Sequence, residues 1–404
     1  MTRGLEKRVV GGYTISIGII CKGNGRGAPG GNMNLSIMIK PASSLCNLRC
    51  KYCFYHDLAD NREVRSYGVM KEETMRKLLE RAFEALPQGH NQLSLIFQGG
   101  EPMMAGLAFF ERLEEMLAAM GRREVKVNRS IQTNGTMIDE RWAAFWKKHG
   151  YLVGVSLDGP AQVHNELRVD AAGKGTFSRV TSGIACLKKY GVEYNILTVV
   201  SAEVARHGQK VYSFLRKNGW NYLQFIPCMD PVSGERQSYS LTAEQYGKFL
   251  ISTFQEYERE RMQGKFVSVR WFDNLLDLAA GYPPESCGMT GVCACHFVAE
   301  ADGSIYPCDF YVDDEHRLGN VADTGFREMF ESEIARRFVN ESVEPAQKCK
   351  ACRWYRICRG GCRRYREGME GTALGCSTLC RAYEMFFDEC GNRVAALARA
   401  LSRG

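Results

Sequence analysis

The chain has 404 residues, of which 45% are hydrophobic and 25% are charged, as in ordinary soluble globular proteins. The formal net charge of +7 is modest, and the basic residues are scattered rather than gathered in an arm, so we expect no nucleic-acid partner. No apolar run approaches the roughly 20 residues of a membrane helix, and the short apolar stretch 15–21 lacks a signal-peptide cleavage site. We therefore expect a cytoplasmic protein that is not bound to membranes.

The chain begins with an extension, residues 1–32, that we expect to be disordered because its end is rich in glycine and lacks periodicity. From residue 35, apolar strand-like runs alternate with amphipathic helical segments. The predicted strands are 35–40, 93–97, 127–133, 151–157, 193–200 and 222–227, and the predicted helices are 71–86, 107–120, 140–149, 177–190 and 208–218. This alternation predicts a parallel sheet with right-handed crossovers, and six units are fewer than the eight of a full TIM barrel. We predict an α/β fold in which residues 33–235 form a partial (β/α)6 barrel of TIM type.

The alternation stops after residue 231. We predict a helical linker region over 236–286, with one or two helices in 241–262. Residues 287–404 are dense in cysteine and are predicted to form a second domain. It begins with a hairpin, 297–300 and 304–308, that turns at Asp302-Gly303, and it ends with a helix over 379–401.

Cysteine is the anomalous residue type, because the chain has 17. The number is odd and no secretion signal is present, so a framework of disulfides is not expected. Thiols stay reduced in the cytosol, where clustered cysteines more often bind metal.

The first cluster is Cys46, Cys50 and Cys53, a CxxxCxxC run directly after the first predicted strand. Three thiolates bind three irons of a [4Fe–4S] cluster and leave the fourth iron free for a small molecule. The alternative is a structural zinc site, which needs four ligands, usually in two separated pairs. The next cysteine along the chain is Cys186, so the spacing favours the iron–sulfur cluster.

Polar turns follow the second, third and fourth predicted strands, at 98–102, 132–135 and 156–160. Ligands bind at the carboxyl ends of the strands in parallel α/β sheets, so these turns and the cysteine triplet are expected around one barrel mouth. The two glycines of the first turn allow a close approach of the backbone, and Glu101 offers a carboxylate to an ammonium group.

The C-terminal region contains enough thiols for two complete clusters. The eight candidate ligands are Cys287, Cys293, Cys308, Cys349, Cys352, Cys358, Cys362 and Cys380. Spacing alone does not separate two iron–sulfur clusters from two zinc ions, but the first triplet favours iron. Cys295 and Cys376 are alternatives for an assigned ligand, whereas Cys186, Cys228 and Cys390 are expected to be buried hydrophobic residues.

Several runs resemble a known family: 40–44, 53–56, 97–102, 306–310 and 360–364. Together with the CxxxCxxC triplet and the C-terminal CxxCxxxxxCxxxC run, they resemble radical S-adenosylmethionine (SAM) enzymes with a SPASM domain. The resemblance is closest to the anaerobic sulfatase-maturating enzymes and extends from Asn34 to about Phe387.

This resemblance implies SAM and three [4Fe–4S] clusters as cofactors. It implies oxidation of a cysteine or serine in a sulfatase peptide to Cα-formylglycine, with an electron donor such as flavodoxin or ferredoxin. By the same resemblance, Asp309 is the base that removes the substrate proton. One auxiliary cluster is expected on Cys287, Cys293, Cys308 and Cys362, and the other on Cys349, Cys352, Cys358 and Cys380. The SAM contacts are expected at Tyr52, Gly100, Ser156, Arg168 and Met229.

Two other functions are compatible with the sequence. Another SPASM maturase would form a thioether, a carbon–carbon crosslink or an epimerised residue in a ribosomal peptide, since one fold serves several reactions. Such enzymes often have an N-terminal peptide-binding domain, for which residues 1–32 are too short. A non-catalytic electron carrier or zinc scaffold is the other alternative, and the open three-cysteine site argues against it.

Overall fold

The structure is a computed structural model that describes residues 33–232, 234–367 and 374–403. The predicted N-terminal extension, with Cys21, lies outside the described residues. Within the described part of the chain, no helix is both long and apolar enough to cross a membrane.

One mixed sheet organises the described residues. Its strands are β1 (Asn34–Ile39), β2 (Asn91–Phe97), β3 (Val125–Thr133), β4 (Tyr151–Ser156), β5 (Glu193–Val200), β6 (Tyr222–Pro227), β7 (Ser268–Val269), β8 (Phe297–Ala299), β9 (Ser304–Tyr306) and β10 (Gly319–Asn320). Their spatial order is β10-β9-β8-β1-β2-β3-β4-β5-β6-β7. Neighbours from β1 to β7 pair in parallel, β8 adds in parallel to β1, and β9 is antiparallel to both β8 and β10.

Helices connect the parallel strands and complete the C-terminal region. They are α1 (Phe54–Asp60), α2 (Glu72–Ala85), α3 (Leu107–Met120), α4 (Glu140–His149), α5 (Ala161–Leu167), α6 (Phe177–Tyr190), α7 (Ala202–Arg206), α8 (Gly208–Lys217), α9 (Ala243–Met262), α10 (Arg270–Ala279), α11 (Phe326–Phe330), α12 (Glu333–Asn340), α13 (Gln347–Lys350), α14 (Tyr355–Cys358) and α15 (Cys380–Arg403). The C-terminal helix α15 packs on α9 and α10.

Local sequence explains where the main elements start and stop. Asp139 caps α4 by accepting a hydrogen bond from the backbone N–H of Trp142, and α4 ends at Gly150 in the left-handed conformation. Thr242 and Gln245 form a reciprocal capping box at the start of α9, which makes the predicted 241–262 segment one helix. The strands β1 and β4 are mostly apolar and buried, because helices cover the parallel sheet, whereas β3 carries several polar side chains.

The predicted α/β class and all six predicted strands are confirmed. The sheet is wider than predicted on both sides. The region predicted as a helical linker also contains β7, which pairs with β6 and is too short to give a periodic signal. The predicted hairpin joins the free edge of β1, so the sheet continues across the boundary predicted at residue 287.

Candidate functional site

The three N-terminal cysteines lie in the loop between β1 and α1. Cys46, Cys50 and Cys53 together line a pocket of about 280 Å³. The loop is anchored on the end of α5 and the residues just after it, because Arg49 N–H donates to the Val169 carbonyl at 2.7 Å and Lys51 N–H donates to the Leu167 carbonyl at 3.0 Å. The predicted triplet is thus assembled at the carboxyl end of β1.

The glycine pair after β2 makes room for this loop rather than for a ligand alone. A β-carbon on Gly100 would lie 2.2 Å from the carbonyl oxygen of Leu45. Gly100 N–H instead donates to the Ser43 carbonyl at 2.9 Å, and Glu101 N–H donates to the Leu45 carbonyl at 2.7 Å. The turn at 98–102 therefore packs directly against the cysteine loop, while Gly100 also lines the pocket.

The thiols of the triplet need a cation to become ligands. Burial raises the pKa of the Cys46 thiol to about 12 and that of Cys50 to about 11. Such thiols stay protonated at neutral pH unless a metal compensates their charge, as iron does for cysteine ligands. No other cysteine of the described residues lines this pocket. The donor set therefore fits a cluster with one iron open to an added molecule.

A buried carboxylate behind the triplet has no cationic partner among the described residues. Glu101 is 1% exposed, and its oxygens accept hydrogen bonds only from the Met103 N–H, the Thr133 hydroxyl and the Asn134 N–H. Burial raises its pKa to about 7. A bound ammonium group would supply the missing charge, so Glu101 fits the amino group of SAM.

The predicted SAM contacts fall into two groups. Tyr52, Gly100 and Met229 line the pocket with the three cysteines, whereas Ser156 and Arg168 lie outside its lining. The hydroxyl of Ser156 accepts a hydrogen bond from the Gln132 side chain at 3.0 Å.

Arg168 lies between a buried carboxylate and the triplet. Its Nε donates to Asp158 Oδ2 at 2.9 Å, and its Nη1 lies 4.0 Å from Cys50 Sγ. Asp158 also accepts hydrogen bonds from the Tyr52 hydroxyl and, at 2.9 Å, from the Val199 N–H. The sequence showed Asp158 only as part of a polar turn, so its role in holding Arg168 and Tyr52 was missed.

The C-terminal thiols form two sets. The inner set is Cys287, Cys293, Cys308 and Cys362. Burial and the neighbouring thiols raise the pKa of Cys308 and raise that of Cys362 to about 12. The outer set lines a small pocket with aromatic walls and comprises Cys349, Cys352, Cys358 and Cys380. The structure thus brings together the thiols that the resemblance grouped.

The two spare cysteines differ in their surroundings. Cys376 contacts the thiol of Cys349 but does not line the outer pocket. Cys295 is 3% exposed, and burial raises the pKa of its thiol to about 12. Its environment is that of a buried hydrophobic residue.

Asp309 lies where the barrel rim meets the hairpin. It starts the 3₁₀ turn Asp309–Tyr311, directly after Cys308 of the inner set. Its Oδ1 accepts from Lys40 Nζ at 2.5 Å and its Oδ2 accepts from Gln98 Nε2 at 2.6 Å. Lys40 and Gln98 follow β1 and β2, and their contact with Asp309 was not predicted from the sequence.

A large cleft of about 1430 Å³ lies between the barrel and the C-terminal region. It shares Met229, Asp230 and Pro231 with the three-cysteine pocket, and its other wall includes Phe310 and Tyr311 beside Asp309. This volume exceeds that of most small-molecule pockets and is large enough for a peptide segment.

Comparisons with known proteins agree with this arrangement. Residues 41–215 match the family model of the radical SAM superfamily, and residues 291–353 match that of the SPASM iron–sulfur cluster-binding domain. The chain is 46% identical over 356 residues to the cysteine-type anaerobic sulfatase-maturating enzyme of Clostridium perfringens, covering 88% of this chain and 95% of that one. It is 43% identical to the cysteine-type enzyme of Clostridium novyi (91% and 98% covered) and 32% identical to the serine-type enzyme of Bacteroides thetaiotaomicron (87% and 88% covered).

Solved structures of anSMEcpe also match this chain over most of its length. Native anSMEcpe with bound AdoMet superposes with a TM-score of 0.87 at 44% identity, covering 91% of this chain and 100% of that chain. Native anSMEcpe with bound AdoMet and Kp18Cys peptide superposes with a TM-score of 0.87 at 43% identity, covering 91% and 99%.

The barrel, the open cysteine triplet and the C-terminal thiol sets define a radical SAM enzyme with a SPASM iron–sulfur domain. Within this class, the identity of 43–46% over most of its length shows that the chain belongs to the anaerobic sulfatase-maturating enzymes. The predicted family and enzyme class are confirmed.

Proposed function

We propose that this enzyme oxidises a cysteine side chain of a sulfatase to Cα-formylglycine, with SAM and three [4Fe–4S] clusters as cofactors. The observation that carries the proposal is the position of Asp309: a carboxylate between Cys308 of the inner thiol set and Phe310, which lines the peptide-sized cleft. A proton acceptor at this point is what the oxidation of a thiol requires.

Each cofactor has residues suited to hold it. The triplet would hold the SAM-binding cluster, and Glu101 would take the amino group of SAM. The inner and outer thiol sets would hold the two auxiliary clusters. When bound, these groups supply the 5′-deoxyadenosyl radical that takes a Cβ hydrogen and the acceptor that receives the remaining electron.

The chain's own residues provide the proton chemistry and the binding. An oxygen of Asp309 takes the proton of the substrate thiol, since Lys40 and Gln98 each occupy only one acceptor site of the carboxylate. Loss of the Cβ hydrogen, this proton and one electron leaves a thioaldehyde, and water hydrolyses it to the aldehyde with release of hydrogen sulfide. The cleft holds the peptide, and its target side chain enters the three-cysteine pocket where the two cavities meet, at Met229–Pro231. An external carrier such as flavodoxin or ferredoxin supplies the electron that starts each turnover.

Cysteine is proposed as the target because the cysteine-type relatives are 43–46% identical, against 29–32% for the serine-type relatives. The alternative of a ribosomal-peptide crosslinking maturase gains no support. Streptococcus suis SuiB, solved with its precursor peptide, matches at a TM-score of 0.60 and 16% identity, a likeness of fold alone.

The test is anaerobic incubation of the reconstituted enzyme with SAM, reductant and a sulfatase peptide carrying Cys, Ser or Ala at the target position. We expect 5′-deoxyadenosine together with the aldehyde mass from the Cys peptide, less from the Ser peptide, and an unchanged Ala peptide. Asp309→Asn should lower aldehyde formation about 10²- to 10⁴-fold, the usual contribution of a positioned base, with SAM cleavage retained. SAM cleavage with no aldehyde from any peptide would reject the proposal.

A further inference from the structure

Lys40 is a lysine in an unusual place. Its side chain is 0% exposed, although lysine is almost never fully buried without a partner. Gly99 makes the space for it: a β-carbon there would lie 3.1 Å from Lys40 Cγ, and the φ of +128° at Gly99 favours glycine. The turn after β2 is therefore shaped around this side chain.

The ammonium group of Lys40 is held from two sides. Its Nζ lies 2.5 Å from Asp309 Oδ1 and 3.6 Å from the centroid of the Tyr55 ring. The ring is fixed in turn, because the Tyr55 hydroxyl donates to Glu300, and Arg62 Nη1 donates to the same carboxylate at 2.9 Å. The Glu300 side chain is 0% exposed and the Arg62 side chain 1% exposed, so this support is itself buried.

The two donors on Asp309 fix its orientation. Lys40 approaches Oδ1 and Gln98 approaches Oδ2 at 2.6 Å, so the plane of the carboxylate is set from both sides. Both donors follow parallel strands of the barrel, whereas the acceptor belongs to the C-terminal region. The barrel rim thus orients the carboxylate that the other region supplies.

We propose that Lys40 is a positioning residue for the proton acceptor: it holds Asp309, against the Tyr55 ring, in the orientation in which the carboxylate takes the substrate proton. The proposal rests on the function proposed above. The Lys40 ammonium group contacts Asp309 and the Tyr55 ring, so its effect on the reaction passes through Asp309.

The test uses Lys40→Met, which removes the donor, and Lys40→Gln, which keeps an uncharged donor. In Lys40→Met, 5′-deoxyadenosine should still form with the Cys peptide, whereas aldehyde per deoxyadenosine should fall at least about tenfold, because a misplaced catalytic group loses its advantage. Lys40→Gln should lose less. The KM for the peptide should stay near that of the unmodified enzyme, and a crystal structure of Lys40→Met should show the Asp309 carboxylate rotated away from its present plane.

A double-mutant cycle separates positioning from a structural role. In the Asp309→Asn background, Lys40→Met should cause no further loss of aldehyde, since its effect passes through Asp309. Lys71→Met is the matched control, because Lys71 is an exposed lysine of the barrel with no ion pair among the described residues. The amount of aldehyde formed per deoxyadenosine should not change in this variant.

The outcomes distinguish the two proposals. An unmodified enzyme that cleaves SAM but forms no aldehyde rejects the proposed function. If the unmodified enzyme forms aldehyde and Lys40→Met forms the same amount of aldehyde per deoxyadenosine, the role of Lys40 is overturned and the proposed function stands. Equal losses from Lys40→Met in both backgrounds, or loss of iron in both Lys40 variants, would also overturn it, because those results mark a structural lysine.

Discussion

The three-cysteine pocket and the outer C-terminal thiol set differ in what surrounds their sulfur atoms. The pocket has three thiols and polar walls, which include Arg49, His56, Asp57 and Asp60. The outer set has four thiols, and four of the eight other residues that line its pocket are aromatic: Trp354, Tyr355, Tyr383 and Phe387. A site that binds a charged cofactor needs an open coordination position and polar groups to receive it, whereas a site that only transfers electrons needs neither.

The largest expected effect comes from removing the open site altogether. Replacing Cys46, Cys50 and Cys53 together with alanine should abolish SAM cleavage, because these three thiols line the pocket proposed to take SAM and leave one iron of their cluster open. About two thirds of the iron should remain on the two closed sets. Iron and sulfide analysis and a deoxyadenosine assay measure the two quantities. SAM cleavage that persists in the triple variant would place the open site elsewhere, and Cys186→Ala is the control that should change neither.

A second test concerns Glu101, the buried carboxylate behind the triplet. Burial raises the pKa of Glu101 to about 7, so at lower pH the carboxyl group must lose a proton before it can pair with an ammonium group. The affinity for SAM should therefore fall as the pH drops from 8 to 6, by up to about tenfold per pH unit below the pKa. Glu101→Gln should bind SAM about ten- to a hundredfold more weakly, because it loses a charged hydrogen bond. Its affinity for SAM should not fall between pH 8 and pH 6. Calorimetric titration at several pH values measures both, and an unchanged pH step in Glu101→Gln would contradict the assignment.

The smallest expected effect tests the membership of the outer set. Cys380→Ala should remove about a third of the iron, because Cys380 lines the outer pocket with three other thiols. Cys376→Ala should leave the iron content unchanged, although Cys376 contacts Cys349. The two variants are a matched pair, since both cysteines lie in the same segment before or at the start of α15. If Cys376→Ala loses iron and Cys380→Ala does not, Cys376 belongs to the outer set in place of Cys380.

Much of the fold was predictable because its signals are local. The predicted helices 107–120, 140–149 and 177–190 have the observed bounds, and each shows its apolar face in the sequence itself. The cysteine triplet was equally visible, because its spacing is contained in eight residues. The strand β7 was missed, since two residues carry no period.

The contacts that tune the site were not predictable, because they join distant segments. Lys40 and Asp309 are 269 positions apart, and Tyr52 and Asp158 are 106 positions apart. Nothing in the residue type of Lys40 indicates that it is buried, and on average lysine is exposed. The close approach of Gly100 to the Leu45 carbonyl depends on two loops that meet only in the folded chain.

The parallel pairing of β8 with β1 has a consequence for how the chain is made. During synthesis, β1 emerges early, but the strand that covers its edge is completed only when Ala299 has been added. Until then the nascent barrel presents unpaired N–H and C=O groups, which are a template for association with other chains. A truncated chain that ends before the hairpin would keep this hazard permanently, so the C-terminal region protects the barrel from aggregation as well as contributing thiols.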